Sequence, residues 1–174
     1  MISIKAGWQE DAVDKALRRT SASNLSGENK KKLMRVLVQG ANRMRNEILK
    51  GMARTPHHGF PYKRGNKTHI ASRGGEMPAV DTGQLLRSIM YDVSFGDMSV
   101  EIGAEAGAPY AAYLEFGHKQ TITRSGSTGF RTLTSFVGPR PFLTPAMEHN
   151  RQWIEDMLVR TLTQIITGGK DVSL

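Results

Sequence analysis

Apolar residues recur at steps of three and four along two long stretches of the chain, and this spacing predicts two amphipathic helices. The first is predicted from Glu28 to about Ala53, with Ser26 as its N-cap residue. Its apolar positions are Leu33, Leu37, Ala41, Met44, Ile48 and Met52. Its solvent side carries Lys30, Lys31, Arg35, Arg43, Arg45 and Lys50.

The second long helix is predicted from Pro145 to about Thr167, with Thr144 as its N-cap residue. One face of it presents Ile154, Met157, Leu158, Leu162 and Ile165. Shorter helices are predicted over residues 9–19 and from Pro109 to Gly117. We expect the two long helices to pack together and to share a core formed by Leu37, Met44, Ile48, Ile154, Leu158 and Leu162.

Strict alternation of apolar and polar residues predicts β-strands in the second half of the chain. Ile89, Tyr91 and Val93 alternate with polar neighbours, as do Val100 and Ile102, and residues 95–98 have turn chemistry. This pattern predicts an antiparallel hairpin with one buried face. Residues 118–137 predict a second β-hairpin that projects from the body. The fold class is therefore α+β, with two long helices packed on a small antiparallel sheet in a single domain over residues 1–174.

Residues 54–80 are rich in proline and glycine and show no periodicity. A structureless segment of this length is unusual inside a compact domain, and it is typical of functional loops that become ordered on binding a partner. We expect this loop, like the hairpin over 118–137, to be mobile in the free subunit and to form contacts in an assembly.

Composition excludes several classes of protein. The chain has no cysteine, so it has neither disulfides nor a cysteine-based zinc site. Residues 1–9 lack the apolar segment of a secretory signal, and no apolar run is long enough to span a membrane. The formal charge of +8 and the isoelectric point near 10.0 favour contact with nucleic acid or with an acidic protein surface.

No set of residues is spaced for catalysis. The histidines at positions 57, 58, 69, 118 and 149 form no ligand pair at helical spacing, and a zinc ion needs three or four placed ligands. Four carboxylates, those of Asp92, Glu101, Glu105 and Glu115, have spacings that fit ordinary surface and turn roles better than a nuclease site. The chain has two glycine-rich stretches, at residues 103–107 and 126–129, and neither contains the lysine of a phosphate-binding loop. We therefore predict no enzyme activity, no cofactor and no metal.

Basic residues gather in the segments predicted to be loops. Residues 54–80 place cations beside Phe60 and Tyr62, an arrangement that suits a phosphate backbone or single-stranded nucleic acid. The candidate contacts with a partner or with DNA are Lys63, Arg64, Lys67, Arg73, Arg124 and Arg131. No known DNA-binding motif surrounds them, so the alternative function is non-specific nucleic-acid binding.

Three segments carry most of the information about function. They are Asp81-Thr-Gly-Gln-Leu-Leu-Arg-Ser88, Tyr110-Ala-Ala-Tyr-Leu-Glu-Phe-Gly117 and Arg140-Pro-Phe-Leu-Thr-Pro-Ala146. Together, over roughly residues 28–166, they resemble a family of bacteriophage neck proteins, usually described as the tail-component or tail-completion family of long-tailed phages. The family pattern matches at Thr82, Gly83, Leu85, Ser88, Tyr110, Tyr113, Glu115, Phe116, Gly117, Pro141, Phe142 and Pro145.

The resemblance implies a structural protein of the virion, assembled in the host cytoplasm. Its members form a homo-oligomeric ring, sixfold in the simplest case, and act in tail completion, tail termination or head–tail joining. The implied partners are the tail tube or tail-terminator protein, the head-side connector proteins and, without sequence preference, the DNA in the channel. No membrane is implied.

The resemblance also gives expectations for individual residues. Gly83 would allow a tight turn into the first strand, and Leu85 or Leu86 would enter the core. The aromatic residues of the second segment would pack against the sheet, and Gly117 would release the chain into the projecting hairpin. Glu115 would be either a solvated helix residue or a buried partner for Arg140, and we favour the pair.

Overall fold

A computed structural model describes residues 2–3, 25–126 and 129–167. The elements in chain order are β1 (Ile2–Ser3), α1 (Gly27–Arg54), β2 (Pro61–Arg64), β3 (Lys67–Ile70), α2 (Gln84–Ser88), β4 (Ile89–Ser94), β5 (Ser99–Ala104), α3 (Ala111–Phe116), β6 (His118–Gly126), β7 (Gly129–Val137) and α4 (Leu143–Ile166). This is the predicted α+β class. The helix predicted over residues 9–19 lies outside the described residues.

Helix α1 is the central element, because it packs against α4 and against both β4 and β5. Ser26 begins it as predicted, with its hydroxyl accepting a hydrogen bond from the Asn29 amide at 3.3 Å. Five of the six predicted apolar positions are buried and Leu37 is half-buried. Of the predicted solvent side, Lys30 and Arg45 are instead half-buried, and Arg45 donates from Nε to the Ile89 carbonyl.

The two long helices pack together as the sequence predicts. Met44, Ile48, Ile154, Leu158 and Leu162 are all buried in one core. The helices approach closely at Gly40, where an added Cβ atom would lie 2.8 Å from Cγ1 and Cδ1 of Ile154. Gly40 therefore sets the distance between the helices.

The main sheet is antiparallel with strand order β1-β5-β4. Ile89 pairs with Ala104 and Tyr91 pairs with Ile102, so these side chains share the face that meets α1. The hairpin predicted from the alternating pattern is present with that face turned inward. The opposite face carries the exposed Met90 and Asp92.

The prediction that residues 54–80 lack structure is wrong. Strands β2 and β3 form an antiparallel hairpin with Pro61 opposite Ile70. The hairpin closes with hydrogen bonds from Gly59 N to Ala71 O and from Ala71 N to Phe60 O. The pairing of β2 with β3 across a turn orders this segment, although its glycine and proline content favoured an unstructured loop. The mobility of this segment stays a prediction.

Hairpin β6–β7 is the second predicted hairpin, and it stands apart from the body. Its register pairs His118 with Val137, and all its described side chains between these ends are exposed. Cross-strand threonine pairs line one face of the hairpin, with hydroxyl contacts of 3.3 Å between Thr121 and Thr134.

Within the described residues, no helix is long and apolar enough to cross a bilayer.

We predict that Gly40→Ala and Gly51→Ala, both within α1, have opposite effects. Both gain about 1 kcal/mol of helix propensity. At Gly51 the added methyl meets only the flexible end of Met77, whereas at Gly40 it meets the packed branch of Ile154. Overpacking typically costs about 1–3 kcal/mol. Urea unfolding should therefore place the free energy of unfolding of Gly40→Ala below that of Gly51→Ala by about that amount. Equal values would contradict the close contact.

Candidate assembly surfaces

Glu115 lies where the second and third family segments meet, and it caps α4. It is only 3% exposed, although it is the one charged residue of its segment. Its Oε2 accepts hydrogen bonds from the amides of Phe142 at 2.8 Å and Leu143 at 3.0 Å. Its Oε1 accepts from the amide and the hydroxyl of Thr144 at 2.9 and 2.6 Å. A carboxylate from α3 thus supplies the acceptors that the start of α4 lacks.

This arrangement corrects two predictions. Glu115 is buried, but its partners are backbone amides and a hydroxyl, not Arg140, whose Nε donates to the Ser72 carbonyl at 2.9 Å. Helix α4 begins at Leu143, with Phe142 in the N-cap position and no side-chain cap of its own. Because Glu115 satisfies the amides from outside, Thr144 is not needed as the N-cap residue and lies inside the first turn with Pro145.

The first family segment forms a turn into the sheet, as predicted. Gly83 has a φ of 73°, in the left-handed region that favours glycine, and precedes α2. Leu85 is buried in the core. Ser88 is buried too, donating from its hydroxyl to the Leu85 carbonyl at 2.8 Å. Thr82 accepts from the Gln84 amide at 3.3 Å, so its role is local.

The three segments line one pocket of about 450 Å³, together with the β2–β3 hairpin. Residues 81–86, Tyr110, Leu114 and Arg140 form its walls. Asp81 at its edge forms an ion pair with Arg64. Burial raises the pKa of the nearby Tyr62 hydroxyl above its usual value, and the Asp81 carboxylate adds to this effect. The pocket edge thus anchors the hairpin to the body.

The aromatic residues of the second segment do not all pack inward, contrary to prediction. Ala111 and Glu115, one helical turn apart, are buried, and Tyr110 packs against the core. Tyr113 and Phe116 point outward and are 57% and 61% exposed. The two aromatic side chains are exposed because α3 is short and has a single inward face, which Glu115 occupies.

Gly117 joins α3 to the projecting hairpin, as predicted. Its φ is 73°, and an added Cβ atom would lie 2.7 Å from the Val137 carbonyl oxygen and 2.9 Å from Cζ of Phe136. Phe136 therefore lies directly over Gly117 while remaining 65% exposed. We call Tyr113, Phe116 and Phe136 the aromatic patch. These three exposed aromatic side chains lie at the root of the hairpin, and exposed apolar surface of this kind marks interaction sites.

The predicted basic contacts are distributed over separate surfaces. Lys63 and Lys67 lie on the exposed β2–β3 hairpin, and Arg73 lies beyond it. Arg64 is engaged by Asp81. Arg124 and Arg131 are directly opposite each other near the end of β6–β7. The structure does not bring these cations together into one site. Among the described residues, no group of three potential metal ligands occurs.

These features define a class of protein, a small α+β subunit whose prominent surfaces are suited to docking. The chain matches the protein-family model described as "Bacteriophage HK97-gp10, putative tail-component" over residues 14–117, more than half of its length. The chain belongs to this family and is a structural tail component of a bacteriophage virion. The match includes the first two segments, while the third lies beyond it. No curated protein and no solved structure matched the chain.

We predict that Glu115→Ala lowers the free energy of unfolding by about 2–3 kcal/mol, because it leaves buried amides at the start of α4 without acceptors. Glu148→Ala, on the exposed side of the same helix, serves as the control and should change it by less than about 0.5 kcal/mol. Urea denaturation with a fluorescence readout compares the two variants. Similar midpoints for both would contradict the capping role of Glu115.

A second prediction concerns Glu76, whose pKa is lowered to about 2, first by the Arg73 amide and then by His58. A lowered pKa means that the stabilising contribution of the Glu76 carboxylate is fully present above the ordinary pKa of 4.5 and is lost as the pH falls toward 2. Titration by NMR of the Glu76 carboxyl group should give this low value. In His58→Ala it should rise but stay below 4.5, because the Arg73 contact remains. An ordinary pKa in the wild type would contradict these contacts.

Proposed function

We propose that this tail component forms a closed ring in the neck, sixfold in the simplest case, where it completes the tail or joins it to the head. The observation that carries the proposal is the aromatic patch. Tyr113, Phe116 and Phe136 are each more than half exposed, although residues of this type dominate the energetics of interfaces. A free subunit gains nothing from such exposure, so a partner surface is the physical explanation.

A ring formed of identical subunits needs two different surfaces that meet side by side and close by rotation. The aromatic patch supplies one surface. Hairpin β6–β7 begins beside it and extends away from the core, so it has the reach to cross to a neighbouring subunit or to the tail tube. The β2–β3 hairpin, with Phe60 88% exposed, offers a third exposed element. Several separate docking elements suit a protein that must join different partners in sequence.

The charge on hairpin β6–β7 favours an acidic partner. Residues 118–137 contain Lys119, Arg124 and Arg131 and no acidic residue. Arg124 and Arg131 are directly opposite each other across the two strands, an arrangement that destabilises an isolated hairpin. An acidic surface on the tail tube, on the terminator protein or on a head-side connector would relieve this repulsion. We therefore assign the hairpin to docking at one end of the ring.

We predict that Tyr113→Ser combined with Phe116→Ser abolishes assembly without unfolding the subunit. Exposed residues contribute little to stability, so the free energy of unfolding should change by less than about 0.5 kcal/mol for each substitution. Phe95→Ser is the matched control, because Phe95 is 64% exposed but lies at the β4–β5 turn. The measurement is complementation of a phage that lacks the protein, with particles counted by electron microscopy, together with the mass of the purified oligomer.

The patch variant should leave heads and tails unjoined, and the Phe95 control should restore infectious particles. Normal particles from the patch variant would remove the aromatic patch from the interface. Deletion of residues 125–129, at the end of the hairpin, tests the docking arm separately, since a loop end contributes little to a core. A folded deletion variant that restores infectivity would exclude the hairpin from docking.

A further inference from the structure

The solvent face of α1 is a continuous stripe of cations and amides. The opposite face of α1 is buried against α4 and the sheet, so the helix already has a face in the core and the stripe is not needed there. The exposed residues of the stripe are Lys31, Lys32, Arg35, Gln39, Asn42, Arg43, Asn46, Lys50 and Arg54. The stripe extends for about 35 Å at the helical rise. We call this surface the basic stripe.

Acidic residues are nearly excluded from this surface. Glu28 precedes the stripe in the first turn of α1. Glu47 is half-buried and turned toward α4, where it accepts from Asn150 at 2.6 Å and contacts His149 at 2.8 Å. Among the described residues, no carboxylate forms a salt bridge with Lys31, Lys32, Arg35, Lys50 or Arg54. The cations of the stripe therefore face solvent without compensation from the described chain.

Helix α4 shows what an ordinary solvated face looks like in the same protein. Arg151 pairs with Glu155 at 2.8 Å, and Gln152 donates to Asp156 at 2.9 Å, both one turn apart. On α1 the same spacing places like charges one turn apart at Lys31 with Arg35 and at Lys50 with Arg54, although Glu28 precedes Lys32 and Arg43 precedes Glu47 by four residues too. Like-charged pairs destabilise a helix, whereas opposite charges stabilise it. Among the described residues, no salt bridge offsets the repulsion within these two like-charged pairs of α1, whereas Arg151 on α4 has Glu155 as its partner.

The middle of the stripe is held in place and borders a groove. Arg43 donates from Nε to Asn150 Oδ1 at 2.8 Å, and its guanidinium lies 5.0 Å from the centre of the Trp153 ring. The groove beside it is lined by residues of α1 and by His149 and Trp153 of α4. Arg43 therefore has a defined position in the stripe, between Lys31 and Lys32 on one side and Lys50 on the other.

The chemistry of the stripe fits the phosphate backbone of duplex DNA. Lysine, arginine, asparagine and glutamine are the side chains that contact phosphate oxygens in protein–DNA complexes. A lipid surface fits less well, because an interfacial helix inserts an apolar face and that of α1 is buried. We infer that the basic stripe is a duplex DNA-binding surface that contacts phosphates and reads no sequence. This inference relies on the proposed ring only to place the DNA in its channel.

The test is a salt titration of binding to a short fluorescent DNA duplex, measured by anisotropy. The stripe variant combines Lys31→Gln with Arg35→Gln, which keeps good helix formers at two exposed positions. Each phosphate contact contributes about 0.9 to the slope of log affinity against log salt concentration, so the variant should lower the slope by about 2. Two duplexes of unrelated sequence should bind the wild type equally.

Two control variants carry the same change in net charge on other surfaces. One combines Lys63→Gln with Lys67→Gln on the β2–β3 hairpin, and the other combines Arg124→Gln with Arg131→Gln on β6–β7. Both should retain the wild-type slope if DNA binds the stripe. The oligomer mass of every variant is measured in parallel, so that loss of DNA binding is distinguished from failure of the ring.

The inference is overturned if either hairpin variant lowers the slope as much as the stripe variant does, because DNA would then respond to net charge or bind a hairpin. It is also overturned if the wild type shows no salt-dependent binding. Polyglutamate that competes with DNA at equal charge concentration would assign the stripe to an acidic protein instead. A stripe variant that has lost DNA binding but still forms the wild-type oligomer supports the inference.

Discussion

The contact between Glu115 and the first turn of α4 is the constraint on which the functional surfaces depend. A helix leaves its first amides without partners, and α4 begins with phenylalanine and leucine, which have no side-chain acceptor. Glu115 supplies the acceptors from a helix that lies 27 residues earlier in the chain. In doing so it fixes the orientation of α3, and with it the direction of the chain that leaves through Gly117. The hairpin and the aromatic patch are positioned by this buried carboxylate.

The same contact explains why aromatic residues of α3 are exposed. A helix this short has one face to bury, and Ala111 and Glu115 occupy it. Tyr113 and Phe116 therefore point away from the core, and the centre of the Tyr113 ring lies 5.0 Å from that of His118 at the start of the hairpin. Burial of one charged side chain and exposure of two aromatic ones reverses the usual preference of both residue types. This reversal is the observation behind the interface that we propose for the tail component.

Charged residues are also distributed unevenly over the surface. Among the described residues, exposed cations without a salt bridge lie on both hairpins and on the solvent face of α1, whereas Arg151 of α4 forms a salt bridge with Glu155 one turn away. Within the described residues, positive charge is thus concentrated on particular surfaces. Helix α1 lies against the core and β6–β7 extends away from it, so these two basic surfaces are separate.

The sequence by itself determined the elements whose signal is local. Periodicity located α1, α4 and the β4–β5 hairpin, and residue types identified the turns at Gly83 and Gly117, because backbone sterics act on neighbouring residues. The family segments were likewise recognisable from their order along the chain. Only the tertiary structure decided that Glu115 binds amides of α4 and not Arg140, that Tyr113 and Phe116 face solvent, and that residues 61–70 pair as strands. The first two depend on which distant groups compete for the same buried space, and no local pattern encodes that competition. The strands over residues 61–70 are largely exposed, so they lack the alternation of apolar and polar residues from which the β4–β5 hairpin was predicted.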